Sequence, residues 1–180
     1  MVHHVWRLIL GGELYSAPIP KNVQRVLDVG TGTGIWAMEF AYEFPSAIIK
    51  ANDLSPIQPS WVPPNLQFEI DDVEDVWPCY QAFDYIHVRN MGASIANWPK
   101  LCEQSLKHLC PGGYIEIQEH AIEIHSENGE VPPIIKEWLE NMETAGRTFG
   151  KELNIAKTVK DFLISAGFEN VQEDKYQVSN

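Results

Sequence analysis

The residues best suited to chemistry form one short glycine-rich segment, Asp28–Gly34, which reads D-V-G-T-G-T-G. Glycine has no Cβ and tolerates positive φ, so a ligand can approach this backbone closely. The segment stands between a short β-branched run and a helical pattern, and a helix N-terminus offers N–H groups without intrahelical partners. In doubly wound sheets, ligands bind at the carboxyl ends of the strands. The segment therefore predicts a ligand-binding turn, with a turn that binds nothing as the alternative.

The glycine spacing is not that of a dinucleotide-binding turn. That fingerprint is G-x-G-x-x-G, and counting from Gly30 its third glycine falls on Ile35. Asp28 precedes the first glycine by two residues, where its charge would repel a pyrophosphate. A carboxylate there suits a ligand with a positive group, such as the ammonium of an amino acid. The turn thus favours a cationic ligand.

Acidic residues also follow the next two predicted strands. Asp53 ends the second strand, at the place where a carboxylate accepts hydrogen bonds from the hydroxyls of a ribose. Asp71–Val73 follows the third strand and offers a carboxylate for an adenine amino group and an apolar wall beside its ring. Taken singly, Asp53 could be a helix cap and the acidic segment a solvated loop. Together with the glycine-rich turn, they favour a nucleoside joined to an amino acid, which is the structure of S-adenosylmethionine.

The elements that position these residues alternate between strand and helix. The predicted strands are Arg25–Val29, Ala47–Asp53, Leu66–Ile70, Phe83–Val88 and Tyr114–His120, with a final strand or strand pair over Phe168–Val178. The predicted helices are Ile35–Phe44, Trp98–Leu109, Pro132–Phe149 and Thr158–Ala166, the last of them capped by Gly167. Strands separated by helices predict a mainly parallel sheet with helices on both faces. The fold class is therefore α/β, doubly wound.

Composition limits the classes of partner. The 180 residues include 25 acidic and 13 basic side chains, for a net charge of −12, and the basic residues form no run. A nucleic-acid partner is not expected, because phosphate binding needs concentrated Lys and Arg. A membrane partner is not expected either, because Val5–Leu10, interrupted by Arg7, is far shorter than the roughly 20 residues of a span. Neither does Met1–Leu10 have the pattern of a secretory signal.

The cysteines indicate the compartment. Cys79, Cys102 and Cys110 are an odd set without C-x-x-C spacing, which predicts free thiols in a reducing environment. We therefore expect an intracellular protein of the cytoplasm or nucleus. His108 and Cys110 alone do not make a metal site, so no metal is expected. The length predicts one domain over residues 1–180.

A longer set of motifs carries a family resemblance that runs from His3 to about Gln177. The matching segments are His3–Leu8, Gly11–Tyr15, Val26–Ala37, Asp53–Pro59, Trp61–Asn65 and Phe68–Asp72. This string resembles the fungal LaeA-like methyltransferases, which include regulators of secondary metabolism and enzymes of natural-product clusters. The resemblance implies a Rossmann-like class I methyltransferase sheet and S-adenosylmethionine, with S-adenosylhomocysteine as its product. It also implies that Arg89-Asn90, after the fourth strand, lies by the cofactor.

These arguments together select the candidate cofactor residues. They are Asp28, Gly30, Thr31, Gly32, Asp53, Leu54, Asp72, Val73 and Arg89.

The resemblance also leads us to expect an incomplete sheet. Members of the family usually begin before the His-His segment and continue past the position of Gln177, where a last strand inserts between strands five and six. We therefore expect a sheet without its seventh strand and an unpaired edge. A partner or a second copy of the chain could pair with that edge, giving a homo- or hetero-oligomer.

Methyl transfer needs little acid–base catalysis by the protein, because the cofactor already activates the methyl group. A base is needed only for a hydroxyl or a protonated amine, and the candidates are Glu119 and His120. His87, within a strand, is expected to be a packed core residue. The sequence predicts a methyltransferase acting on a fungal secondary metabolite or a protein side chain. The alternative is a non-catalytic or repurposed subunit of a regulatory or biosynthetic complex.

Overall fold

The computed structural model describes residues 2–78, 82–122, 124 and 129–177. Its helices are α1 (Val2–Ile9), α2 (Ile35–Glu43), α3 (Trp98–His108), α4 (Pro133–Thr148) and α5 (Val159–Ala166), with a short 3-10 turn at Ile155–Lys157. Its strands are β1 (Arg25–Val29), β2 (Ile48–Asp53), β3 (Leu66–Ile70), β4 (Phe83–Arg89) and β5 (Leu109–Gln118). All neighbouring strands are parallel, in the order β3-β2-β1-β4-β5. The predicted α/β fold class is confirmed.

The two faces of the sheet bury separate apolar clusters, as the alternation of side chains along a strand requires. On one face, Trp36 and Phe40 of α2 pack against Val26 of β1. On the other face, Trp98 of α3 packs with Leu27 of the same strand, and α3 in turn packs against α5. Helices therefore cover both faces, which is the doubly wound arrangement.

The helix ends follow from local sequence. α2 begins after Gly34, which has the left-handed φ of 78°. α3 begins directly after its N-cap residue Asn97, whose side-chain oxygen accepts a hydrogen bond from Lys100 N at 3.0 Å. α5 ends at Gly167, also left-handed, so the predicted cap is confirmed.

The strand order creates a crevice at the carboxyl edge of the sheet. From β1 the chain moves outward to β2 and β3, then returns to place β4 on the other side of β1. Such a reversal of direction separates the loops that follow the two central strands, and ligands of open α/β sheets bind there. The glycine-rich turn after β1 and the residues after β4 border this crevice.

The predicted last strand is wrong over residues 168–177. Residues 168–177 contain no strand, and Val178 lies outside the described residues. Seven of the ten residues 168–177 are charged or amide residues, and only Phe168 and Val171 are half-buried. It therefore offers too little apolar surface to form a packed strand. Within the described residues the sheet has five strands, so neither a sixth nor a seventh is present there and β5 forms an edge.

Three further differences concern β5 and the start of the chain. Strand β5 begins at Leu109 rather than at Tyr114, with an irregular register against β4. The same strand ends at Gln118 rather than at His120. Helix α1 was not predicted, although His3, Trp6 and Arg7 have the spacing of one helix face. The remaining predicted boundaries lie within one residue of those observed.

Cys102 and Cys110 are free thiols, and Cys79 lies outside the described residues. In the described part of the chain, no helix is both long enough and apolar enough to cross a membrane.

Candidate functional site

The three glycines of the turn after β1 have positive φ values but different surroundings. A Cβ on Gly30 (φ 66°) would lie 2.1 Å from Met91 Sδ, and a Cβ on Gly34 would lie 2.3 Å from the ring of Phe68. A Cβ on Gly32 (φ 58°) would meet nothing within 4 Å. The chain itself therefore packs against Gly30 and Gly34, while the turn opens to free space at Gly32.

Asp28 is buried beneath the turn, with 3% of its surface exposed. Its Oδ1 lies 2.7 Å from His87 Nδ1, and its Oδ2 accepts a hydrogen bond from the Thr31 hydroxyl at 2.6 Å. The His87 ring is buried and stacks on Trp36 with 3.7 Å between ring centroids. The prediction that His87 is a packed core residue is confirmed. Both oxygens of Asp28 already have partners within the chain, so its contact with an ammonium group stays a prediction.

Asp53 lies at the mouth of the turn. Its Oδ2 accepts a hydrogen bond from Gly32 N at 2.8 Å, and its Oδ1 accepts one from Ser55 N at 2.9 Å. Gln58 Nε2 donates to the Gly32 carbonyl at 2.6 Å, which fixes the other side of the same peptide segment. A carboxylate has about four lone-pair positions, so Asp53 retains acceptor capacity. The adjacent Leu54 side chain is 66% exposed.

The segment after β3 is rigidly held. Asp72 Oδ1 accepts a hydrogen bond from Glu74 N at 2.9 Å, and the Val73 carbonyl accepts one from the Trp77 indole at 2.9 Å. Val73 is buried, whereas Asp72 is half-buried. This segment therefore presents a partly exposed carboxylate beside a buried apolar residue, and its use as an adenine site stays a prediction.

Helix α1 lies against the end of β4, a contact that no local sequence pattern predicts. Arg89 Nη2 lies 3.0 Å from His3 Nδ1, and the other ring nitrogen of His3 lies 3.2 Å from Glu39 Oε2. Arg7 Nη1 donates to the same glutamate oxygen at 3.1 Å. Burial lowers the pKa of both Arg89 and His3. Arg89 is thus oriented by a helix that lies far from it in sequence.

The two candidate bases have different environments. Glu119 is half-buried, and its carboxylate accepts a hydrogen bond from the backbone N–H of Met91. Hydrogen bonding to the backbone lowers its pKa, but burial dominates and raises the pKa to about 7. His120 is exposed, and its ring lies 5.1 Å from that of Trp6 in α1. Partial burial lowers the pKa of His120.

Two cavities lie near this crevice but do not include the glycine-rich turn. One, of about 530 Å³, is lined by Glu39 and by residues of α1 and the following turn. The other, of about 580 Å³, lies between the end of α4 and the beginning of α3 and includes Lys151 and Phe162. The candidate site therefore lies along the strand ends, outside both of these cavities.

The fold and site define a class of protein. A parallel sheet with this strand order, a glycine-rich turn after β1 and carboxylates after β2 and β3 is the arrangement of Rossmann-like class I methyltransferases. The family profile described as "Methyltransferase domain" matches residues 1–173. The chain therefore belongs to this methyltransferase family.

Curated relatives agree with the LaeA-like resemblance. Methyltransferase pytC of Aspergillus terreus is 39% identical, over 99% of this chain and 56% of the relative. Secondary metabolism regulator LAE1 of Cochliobolus heterostrophus is 33% identical, over 98% of this chain and 60% of the relative. The predicted LaeA-like membership is confirmed. The chain spans little more than half the length of these relatives.

Solved structures confirm the fold. Human N-acetylserotonin methyltransferase in complex with SAM superposes with a TM-score of 0.65 and 20% identity, over 97% of this chain and 50% of that chain. Phosphoethanolamine N-methyltransferase 2 of Haemonchus contortus, in complex with S-adenosyl-L-methionine, superposes with a TM-score of 0.65 and 21% identity, over 92% of this chain and 37% of that chain.

Proposed function

We propose that this chain binds S-adenosylmethionine along the carboxyl ends of β1, β2 and β3 and belongs to an enzyme that transfers its methyl group. The observation that carries the proposal is the hydrogen bond between the Asp53 carboxylate and Gly32 N. This bond places two features in one site: the Asp53 carboxylate, which suits ribose hydroxyls, and the open turn at Gly32, which lets a ligand approach the backbone. Membership of a methyltransferase family supports the same conclusion.

The residues present fit this cofactor. The open space at Gly32 admits a ligand against the backbone, and Asp53 retains acceptor positions for the two ribose hydroxyls. Asp72 would accept from the adenine amino group, with Val73 and the exposed Leu54 as apolar walls. Gly30, Thr31 and Arg89 would line the amino-acid end, and Asp28 would support it electrostatically.

The cofactor, when bound, supplies an electrophilic methyl group on a positively charged sulfur. The chain therefore has to bind the cofactor, orient its methyl group towards the acceptor and exclude water. Where the acceptor is a hydroxyl or protonated amine, His120 is the better base of the two candidates. Its lowered pKa leaves it neutral near pH 7, and it is exposed. The carboxylate of Glu119 is engaged with the backbone N–H of Met91.

The acceptor we propose is a fungal secondary metabolite or a protein side chain. Curated relatives include both a methyltransferase, pytC, and a secondary metabolism regulator, LAE1. An acceptor of either kind is compatible with the acidic surface, which does not suit nucleic acid. We also propose the cytoplasm or nucleus as its location, from the free thiols.

Titration calorimetry with S-adenosylhomocysteine tests cofactor binding. The chain should bind it, and Asp53→Ala should weaken binding by the worth of a charge-assisted hydrogen bond, about 1.5–3 kcal/mol, or about ten- to a hundredfold. Asp75→Ala is the matched control, because Asp75 is an exposed acid in the neighbouring acidic segment. Absence of binding by folded protein, or equal loss in both variants, would refute the proposal.

A second candidate function is an interaction subunit that uses the same fold. The observation favouring it is the edge position of β5, whose outer backbone groups pair with no other strand of the described residues. Such an edge can accept a strand from a partner or from a second copy. Light scattering would show a dimer or a larger complex, whereas a monomer that transfers methyl groups would contradict this alternative.

A further inference from the structure

The chain turns sharply directly after β4. Asn90 has a φ of 56°, a left-handed conformation that few residues other than glycine adopt. Two distant contacts hold it there: its backbone N donates to the Gln118 carbonyl at 3.0 Å, and its Oδ1 accepts from the Trp6 indole at 3.3 Å. Residues of β5 and α1 thus impose the path that the chain takes after β4.

This path places the next side chain against the glycine-rich turn. Met91 contacts Gly30 so closely that a Cβ on Gly30 would lie 2.1 Å from the Met91 sulfur. The carbonyl of Met91 accepts hydrogen bonds from Ser94 N at 2.8 Å and Ile95 N at 3.1 Å. Met91 is therefore part of a folded loop and forms a wall beside Gly30.

Glu119 connects the end of β5 to this loop. Its Oε1 accepts a hydrogen bond from the backbone N–H of Met91. The approach at Gly92 is close, because a Cβ there would lie 3.5 Å from Glu119 Oε2 and 3.1 Å from Ile155 Cγ2. The contacts form one series: Glu119 holds the backbone of Met91, and the Met91 side chain rests on Gly30.

We propose that Glu119 is a positioning residue, whose carboxylate holds the loop after β4 so that Met91 stays against Gly30 and shapes the cofactor groove. Glu119 acts through Met91 and does not itself contact cofactor or acceptor. The inference rests on the proposed function, since the groove is the one assigned to S-adenosylmethionine. It gives Glu119 a role different from that of a base.

The test compares Glu119→Ala, Glu119→Gln and a matched control, Asp84→Ala. Asp84 is likewise a carboxylate that holds backbone N–H groups, those of Gln24 at 2.9 Å and Arg25 at 2.8 Å, but at the amino end of β1. Glu119→Ala should weaken S-adenosylhomocysteine binding about tenfold or more, a change of about 1.4 kcal/mol. Asp84→Ala should leave binding within about twofold of wild type while lowering the melting temperature.

Glu119→Gln distinguishes positioning from a need for charge. Its amide oxygen can still accept one backbone hydrogen bond, so binding should recover to within about threefold of wild type. Met91→Ala should weaken binding as Glu119→Ala does, and the double variant should lose little more, because both changes break the same series of contacts. Additive losses, or unchanged binding by Glu119→Ala, would overturn the proposal.

A measurement without ligand separates this inference from the proposed function. The Met91 methyl signal in an NMR spectrum should move towards its unfolded-state position in Glu119→Ala but not in Asp84→Ala. If wild type binds no S-adenosylhomocysteine but the methyl signal moves, the proposed function fails and the loop contact stands. If the signal does not move, Glu119 does not position Met91.

Discussion

Replacing Glu119 with glutamine should remove a loss of stability that the wild-type protein undergoes as the pH rises. Burial raises the pKa of Glu119 from 4.5 to about 7. The folded state therefore binds this proton more tightly than the unfolded state. Below about pH 4.5 the carboxyl group is neutral in both states. Between about 4.5 and 7, ionisation favours the unfolded state, so the free energy of unfolding falls as pH rises and then levels off.

The size of the effect follows from the shift. A pKa rise of about 2.5 units corresponds to about 3 kcal/mol at 1.36 kcal/mol per unit. Glutamine has nearly the same shape and is neutral at every pH, so it resembles the protonated form. The unfolding free energy of Glu119→Gln minus that of wild type should therefore increase by up to about 3 kcal/mol between pH 5 and pH 8.

Urea denaturation of both proteins at pH 5, 6, 7 and 8 measures this difference. Other groups also titrate in this range, and their contributions cancel because both proteins contain them. Glu137→Gln is the control for removing one negative charge, since Glu137 is exposed on α4. A difference between Glu119→Gln and wild type that stays constant from pH 5 to pH 8 would refute the argument that burial governs Glu119.

Two further predictions concern the turn and a core thiol. Gly32→Ala should cost about 1–2 kcal/mol of stability for its left-handed backbone, whereas Gly34→Ala should cost more, because its Cβ would also overlap the Phe68 ring; urea denaturation compares them, and equal costs would contradict the structure. Burial raises the pKa of Cys102 to about 12, so a thiol reagent at pH 8 should label it only after unfolding. Mass spectrometry of the labelled peptide checks this, and rapid labelling of native protein would show that Cys102 is accessible.

Local patterns were sufficient to predict the parallel sheet and its site edge. Short β-branched runs separated by amphipathic segments determine where β1 to β4 form, because burial on both faces needs continuous apolar residues. The carboxyl ends of parallel strands meet at one edge, so the order of motifs alone places Asp53 beside the glycine-rich turn. The structure has this contact, between Asp53 and Gly32 N. The assignment of these residues to cofactor binding stays a prediction.

Short-range patterns failed where an element depends on its neighbours. The segment over 168–177 was predicted as a strand, but it forms none, because it carries mostly exposed polar side chains. Helix α1 was missed because its eight residues are too few to be stable alone. Its contacts with Glu39 and Asn90 depend on distant parts of the chain.

The sequence by itself determined the fold class, the glycine-rich turn and the family, because each depends on residue types at close spacing. Only the tertiary structure decided what the individual acids do. Asp28 has His87 and Thr31 as partners, and Glu119 holds the backbone of Met91. The His87 and Met91 contacts join different strand ends, Asp28 with His87 across 59 residues and Glu119 with Met91 across 28. The residue type alone does not show whether an aspartate or glutamate contacts a ligand or a backbone amide, because the surrounding tertiary structure determines this.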